Sequence, residues 1–256
     1  MPNASRPLLG EHAIVTGASR GIGAAIAAAL ARAGADLTIL ARSAARLDRR
    51  AETLRGEHGV QVTALECDVA EEASVRAAFA RAVAERGTPY ILVNNAGAAE
   101  AAPFASTTRA LWDRMLAVNL TSTYLCASQV VPAMVAAKRG RIVNVASTAG
   151  LRGYKAMSAY CAAKHGVVGL TKGLAVELGR EGITVNCVCP GPIRTGMTAG
   201  IPDEAKEKFA RRRVPLRRYG DPEEVAHVTL SLLLPAASFI TGAVVPVDGG
   251  LVVQNT

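Results

Sequence analysis

Along the chain, short apolar runs rich in Val, Ile and Leu alternate with longer stretches in which Ala and Leu recur among charged positions. The short runs are His12–Val15, Leu37–Ala41, Val60–Leu65, Tyr90–Val93, Arg141–Val145, Thr184–Val188 and Ala243–Val247. Most are continuously apolar rather than alternating, as strands covered on both faces must be. Between them the spacing predicts helices over Gly23–Ala33, Ala44–His58, Ala73–Arg86, Thr108–Ala137 and Ser158–Arg180. Strands that alternate with helices imply right-handed crossovers and a parallel sheet with helices on both faces, an α/β fold. No Pro/Ser-rich linker, repeat or low-complexity block divides the 256 residues, which read as a single domain over 1–256.

Composition changes this picture little. From Val225 to Val247 there is no Asp, Glu, Lys or Arg, a length that could span a bilayer. Pro235, Gly242 and Pro246 interrupt it, and Asp221-Pro222-Glu223-Glu224 ahead of it has the cap, proline and acids of a helix start. The expected reading is a helix ending near Leu234, a turn and a buried strand, with no membrane contact. Met1 to Glu11 has no apolar core of signal-peptide length, which points to a cytoplasmic protein. Cys67, Cys126, Cys161, Cys187 and Cys189 form no Cys-x-x-Cys pair and no Cys/His ligand spacing, so buried reduced thiols and no metal are expected. The net charge of +8 suits nucleic acid, but equally a ligand rich in phosphate. Arg211-Arg212-Arg213, with Arg217 and Arg218 close by, reads as a solvated helix face and loop or as a contact for an acidic substrate or partner.

The first strand runs into Thr16-Gly17-Ala18-Ser19-Arg20-Gly21-Ile22-Gly23-Ala24, three glycines in a strand-to-helix turn. Glycine suits a tight turn in which the backbone must approach a pyrophosphate, and the helix that follows aims free N–H groups at that anion. The second strand closes as Leu40-Ala41-Arg42-Ser43, without the acid that usually binds a ribose 2′-hydroxyl. A guanidinium there can grip a 2′-phosphate bidentately, and Arg20 in the glycine loop is placed to approach the same group; the pair favours NADP(H). Asp68-Val69 follows the third strand, where Asp68 could accept a bond from the adenine amino group. Asn95-Ala96-Gly97 follows the fourth, its small residues able to pass under the cofactor; for Asn95, tying neighbouring strands together is an equal reading.

Tyr160 and Lys164 fall at i and i+4 on one predicted helix face. A phenol with a pKa near 10 transfers protons poorly at neutral pH, and neighbouring positive charge would lower that value. With Thr16–Gly23, Asn94–Gly97, Asn119, Ser147, Pro190-Gly191 and Thr195 in this order, the sequence resembles a classical short-chain dehydrogenase/reductase over nearly its whole length. The resemblance is closest to the 3-oxoacyl-carrier-protein reductase-like branch. It implies a Rossmann fold with seven parallel strands in the order 3-2-1-4-5-6-7. The cofactor half would cover about 11–145, and the catalytic and substrate half about 146–250. It implies that Tyr160 acts as acid and base, Ser147 polarises the substrate oxygen, Lys164 binds the nicotinamide ribose and lowers the tyrosine pKa, and Asn119 holds a relay water. Thr195 would bind the carboxamide. Motif and resemblance together give a cofactor set of Gly17, Ser19, Arg20, Gly21, Ile22, Gly23, Arg42, Ser43, Asp68, Val69, Asn95, Ala96, Gly97, Tyr160, Lys164, Pro190, Gly191, Ile193 and Thr195. Cys161 and His165, which flank the catalytic pair, read as packing.

The resemblance implies hydride transfer between NADP(H) and a ketone or secondary alcohol, with a 3-oxoacyl thioester, carrier- or CoA-linked, as the first substrate class. The same branch holds sugar, polyol and other secondary-alcohol dehydrogenases. Lys138 and Arg139 match the basic residues with which carrier-protein reductases meet their acidic partner, whereas Arg180-Glu181 places an acid where a second basic contact belongs. Arg152, Tyr154 and Lys155, with Ala98-Ala99-Glu100 and a lid over about 195–215, would line a polar pocket. A homotetramer, a dimer of dimers, is implied by the way relatives pack their long helices. An NADP(H)-sensing protein without turnover is the alternative of another class, but a sensor needs no proton donor.

Overall fold

The structure, a computed structural model, describes residues 6–254. The expected leaderless start falls partly outside them, at 1–5, as does the end of the single-domain span at 255–256. Seven strands form the sheet: β1 (His12–Thr16), β2 (Asp36–Ala41), β3 (Val62–Glu66), β4 (Ile91–Asn94), β5 (Gly140–Val145), β6 (Ile183–Pro190) and β7 (Val244–Val247). All pair in parallel, in the order β3-β2-β1-β4-β5-β6-β7. The helices are α1 (Gly21–Arg32), α2 (Ala44–His58), α3 (Glu72–Arg86), α4 (Arg109–Leu116), α5 (Ser122–Ala136), α6 (Ser158–Leu178), α7 (Asp203–Arg213) and α8 (Pro222–Leu233).

The unbroken apolar runs are explained by two cores, one on each face of the sheet. Val15, Leu37, Ile39, Ile91, Val93 and Val143 pack under α1, α2 and α8 with Ile26, Leu30, Leu47, Leu54 and Leu233. Their neighbours in sequence, Ile14, Leu40, Leu92 and Ile142, turn the other way to Phe79 of α3, Val130 and Met134 of α5, and Leu178 of α6. Successive strand side chains point to opposite faces, so a sheet covered twice needs apolar residues at every position.

Four expectations change. The predicted helix over Thr108–Ala137 is α4 and α5 joined by a π-helical turn, Ala117–Thr121. The wider turn breaks the ordinary i→i−4 pattern, and the Asn119 side chain takes up the Met115 carbonyl at 3.0 Å. The uncharged stretch from Val225 is α8, then β7, which is half-buried with Pro246 exposed rather than the buried strand expected; among the described residues no helix is long and apolar enough to cross a membrane. Asp221 N–H donates to Glu224 Oε2 at 2.9 Å, closing the first turn of α8. Cys161 is half-buried rather than buried, while the other four cysteines are buried thiols. Lys138 and Arg139 lie ahead of β5, at the amino end of the sheet, bonded to Glu181 and Glu11 respectively. Ser147 follows the opposite end of that strand, roughly 20 Å away at 3.3 Å per residue, so neither base borders Ser147 in this chain.

Candidate active site

Every residue of the expected site lies at or just past the carboxyl end of a strand or on the helices that follow, where open α/β sheets hold ligands. Nearest β1, the glycine loop is fixed from the next strand over. Thr16 Oγ1 accepts from Asn95 N (2.9 Å) and Ala96 N (3.0 Å), and Asn95 Nδ2 donates to Thr16 O (2.9 Å) and Gly17 O (3.3 Å). A Cβ on Gly17 would sit 2.9 Å from Ala96 Cα, and one on Gly23 would collide with Gly17 O and Asn95 Nδ2. Two of the three glycines are therefore demanded by the protein's own packing before any ligand arrives. Gly17 and Gly21 also have positive φ, at 67° and 56°. Asn95 thus serves the structural reading directly. Thr16, outside the expected set, is the hub of this corner.

The cradle left by these residues fits a dinucleotide. Helix α1 starts at Gly21 with no side-chain cap and no acid in its first turn, so its positive end is open toward the loop. Ile22, Ser19 and Thr195 are half-buried around it, and Thr195 Cβ stands 3.4 Å from where a Gly21 Cβ would be. Ser43 precedes α2 and makes no cap bond, while Arg42 beside it is exposed. The Arg20 side chain rests over Gly196, its Nη1 3.3 Å from a Cβ built there, so the loop after β6 is its neighbour. Among the described residues no carboxylate holds either arginine. Asp68 is half-buried, its Oδ1 accepting from Ala70 N at 3.0 Å, and Val69 is buried beneath it. Pro190 ends β6, Gly191 packs so closely on Asp248 that a Cβ would lie 2.7 Å from its Cα, and Ile193 is buried.

Asn119 and Lys164 of the expected catalytic set meet at Gly97. A Cβ at Gly97 would meet Asn119 Oδ1 at 2.8 Å and lie 3.6 Å from Lys164 Nζ, so glycine alone leaves that gap open. Asn119 is buried and spends both amide protons on carbonyls, Met115 O and Ala98 O (2.9 Å), while its Oδ1 accepts from Ala98 N (3.2 Å). Lys164 is 4% exposed and Nζ donates to Val145 O at 3.0 Å. It stands 5.8 Å from the centre of the Tyr160 ring. Ser147 opens a short 3₁₀ turn, its Oγ accepting from Ala149 N at 3.1 Å.

Burial dominates the electrostatics here. The Tyr160 phenol is pushed up to about 12 by desolvation, with hydrogen bonding to Ser147 acting the other way. Lys164 is pulled down to about 8 by desolvation, opposed by the thiols of Cys187 and Cys189. The expected lowering of the tyrosine pKa is therefore not a property of the chain alone. Burial outweighs the single ammonium, and any lowering has to come with further positive charge.

Other readings of this region shift. Arg152 donates to Leu251 O at 3.0 Å, and the Tyr154 hydroxyl pairs with Thr148 Oγ1 at 2.8 Å. Two of the three expected pocket polars are thus engaged with protein, and Lys155 is exposed. His165, read as packing, is exposed, its Nδ1 paired with Cys161 O at 2.9 Å. Arg211, Arg212 and Arg213 end α7 and are exposed, as a solvated face requires.

Comparison with known proteins decides the family. Residues 17–252 match the family model described as enoyl-(acyl carrier protein) reductase. The chain is a short-chain dehydrogenase/reductase. The 3-oxoacyl-[acyl-carrier-protein] reductase of Aquifex aeolicus is 40% identical over 244 residues, covering 95% of this chain and 98% of that one. The D-threitol dehydrogenase of Mycolicibacterium smegmatis is 39% identical, over 96% of this chain and 94% of its own. The crystal structure of levodione reductase superposes with a TM-score of 0.93 at 34% identity, covering 97% and 100% of the two chains. This short-chain dehydrogenase/reductase is an oxidoreductase of the 3-oxoacyl-carrier-protein reductase-like kind, in a family that uses a nicotinamide cofactor. Nearly equal identity to relatives named for an acyl thioester and for a polyol means that membership leaves the substrate open.

Proposed function

We propose that the protein is an NADP(H)-dependent carbonyl reductase, with a 3-oxoacyl thioester as its first substrate class and Tyr160 as the proton donor. The observation that carries this reading is the meeting of Ser147, Tyr160, Lys164 and the Asn119–Gly97 contact at the carboxyl ends of β4 and β5. The bound nicotinamide supplies the hydride. The chain's residues do the rest. Gly17, Ser19, Gly21, Ile22 and Gly23 offer backbone and the open end of α1 to the pyrophosphate. Arg42, Ser43 and Arg20 receive the 2′-phosphate, since no acid stands at the end of β2 to repel it. Asp68 and Val69 border the adenine, Asn95, Ala96 and Gly97 the adjoining ribose, and Pro190, Gly191, Ile193 and Thr195 the carboxamide. Lys164 binds the nicotinamide ribose from its seat on Val145 O.

Ser147 hydrogen-bonds the substrate carbonyl oxygen, and Tyr160 gives that oxygen its proton as the carbon accepts hydride. Burial pushes the phenol up to about 12, so Tyr160 carries its proton at neutral pH, and the Lys164 ammonium together with positive charge on the nicotinamide would lower that value toward the range in which the proton is readily given. Asn119, with Lys164 across Gly97, returns the proton through water. The lid around α7 would close over the substrate and exclude solvent. Assembly as a homotetramer belongs to the same reading.

The similarity to a 3-oxoacyl-carrier-protein reductase supports the thioester class, and that to D-threitol dehydrogenase supports a polyol as the second reading. The test is NADPH oxidation with 3-oxoacyl thioesters, simple ketones and keto-sugars, alongside Tyr160→Phe. Turnover on one class, reduced by about 10²–10⁴-fold in the variant, is expected. Turnover that survives the loss of the phenol overturns the mechanism, and cofactor binding with no turnover on any class favours a sensor.

A further inference from the structure

Behind the catalytic pair runs a buried line of side-chain hydrogen bonds whose directions all agree. Asn94 Nδ2 donates to Asn144 Oδ1 at 2.9 Å, Asn144 Nδ2 donates to Thr171 Oγ1 at 2.9 Å, and Thr171 Oγ1 donates to Val167 O at 2.8 Å. Asn144 and Thr171 have no exposed surface, and Asn94 is 4% exposed. Asn94 and Asn144 are register partners on β4 and β5, so the first link follows from strand pairing alone. The second link joins sheet to helix. In a core otherwise filled by Leu, Ile and Val, polar side chains here cost free energy unless they are satisfied; both amide groups of Asn144 and the Thr171 hydroxyl are, while Asn94 Oδ1 at the far end has no partner among the described residues.

Their position says what they hold. Asn144 precedes Val145, whose carbonyl seats Lys164 Nζ. Thr171 lies seven residues beyond Lys164 on α6, two turns along the same helix face. Helix α6 is therefore pinned to β5 at two points by adjacent strand residues, once through the catalytic lysine and once through Asn144–Thr171. A hydrogen bond fixes rotation and sliding of a helix in a way that apolar packing of similar volume does not. At the other end of the line, Asn95 holds the glycine loop, so both halves of the site are referred to the same two neighbouring asparagines.

We infer that Asn144 and Thr171 are positioning residues, which set the rotation of α6 and thereby place Tyr160 and Lys164 opposite Ser147. This rests on the catalytic reading above. The line also explains why α6 tolerates a lysine with no carboxylate partner among the described residues. The ammonium has one carbonyl to reach, and a second anchor keeps that carbonyl within reach.

The test uses the full chain with Thr171→Val, which keeps the volume and removes the hydroxyl, and Thr171→Ser, which restores it. Three measurements are made on each: kcat and KM over a pH series, thermal stability, and hydrogen–deuterium exchange across α6 without and with NADPH. For Thr171→Val the expectation is a kcat lowered at least tenfold with KM for NADPH within about twofold. The high-pH limb of the kcat profile should move, and exchange near residues 160–168 should rise without cofactor. Thr171→Ser should recover kcat to within about threefold of the parent. A Thr171→Val protein that melts lower yet keeps the parent kcat, pH limb and α6 exchange overturns the inference and leaves only a structural threonine. If the parent itself turns over no substrate, the proposed function fails separately. The exchange measurement then still decides whether Asn144–Thr171 holds α6, and unchanged exchange rejects it.

Discussion

At the amino end of the sheet, Lys138 pairs with Glu181, Arg139 pairs with Glu11 and stacks 4.3 Å over Tyr90, and the charged ends of both bases face solvent. At the carboxyl end, Lys164 is buried with one backbone carbonyl as its partner, and Tyr160 is half-buried beside it. Exposed pairs of the first kind contribute about 0–1 kcal/mol each, and losing one changes little. A buried ammonium without a counterion works against folding, because desolvation penalises its charged form. The fall of Lys164 from 10.5 to about 8 corresponds to roughly 3 kcal/mol of penalty at neutral pH. A fold keeps such a cost where the group has work to do, and the two ends of this sheet differ in that respect.

The sharpest way to break this contrast is Lys164→Met, which keeps the length and removes the charge. Turnover should fall about 10²–10⁴-fold. Stability should not fall with it. Below about pH 8 both folded and unfolded chains carry the proton on Lys164, and the folded parent bears the full penalty. Between about 8 and the unfolded value near 10.4, the unfolded chain binds more protons than the folded one, so parent stability rises with pH. The variant lacks that term. It also leaves Val145 O without its donor, at about 1–3 kcal/mol, so its stability at pH 7 should match or slightly exceed that of the parent. Its relative position should then worsen as pH rises toward about 10. Denaturant unfolding of both proteins at the two pH values checks the sign. A parent that is several kcal/mol the more stable at pH 7 would mean that Lys164 holds the fold together.

Arg42→Asp gives a smaller effect at the same end. Arg42 is exposed, follows β2 at the edge of the proposed cofactor cradle and contributes nothing to the core. A guanidinium–phosphate hydrogen bond contributes about 1.5–3 kcal/mol, so its loss should move the ratio of KM values for NADPH and NADH by about 10–100-fold toward NADH. Repulsion from the new carboxylate adds to the shift. Thermal stability should stay within error, because nothing buried is disturbed. An unchanged ratio removes Arg42 from the cofactor site and leaves the phosphate without its expected partner.

The parts of this molecule legible in the sequence are those whose signal is local. Seven apolar runs gave seven strands, because a sheet covered on both faces needs no partner information to be recognised. The Tyr160/Lys164 spacing survives because one helix carries both. What could not be read depends on register between distant segments. Asn119 fell inside one long predicted helix; its place is set by the Ala98 loop and the π turn, through a contact 21 residues away. Gly23 looked like a ligand-facing glycine, and the groups that exclude a Cβ are Gly17 O and Asn95 Nδ2, the second brought there by the pairing of β1 with β4. Thr171 carries no motif at all. Its partner, Asn144, is 27 residues upstream on a strand whose rotation only the sheet determines. Lys138 and Arg139 show the same limit. Two bases in sequence say nothing about which end of a strand they stand at.

That last point gives the smallest expected effect and the cleanest check on the contrast. Lys138→Ala and Arg139→Ala each remove an exposed ion pair, and Arg139→Ala also removes the stacking on Tyr90, so the loss should be about 1 kcal/mol or less. Their effect on kcat/KM should be negligible for a free 3-oxoacyl thioester and equally negligible for the same acyl group on an acidic carrier protein. A carrier that binds at the active-site mouth meets the carboxyl end of the sheet, while these two bases sit a full strand length below it. If the double variant lost activity tenfold or more on the carrier-linked substrate alone, the carrier would have to reach the amino end. Paired surface charge there would then be a recognition surface, and the division of labour between the two ends would be wrong.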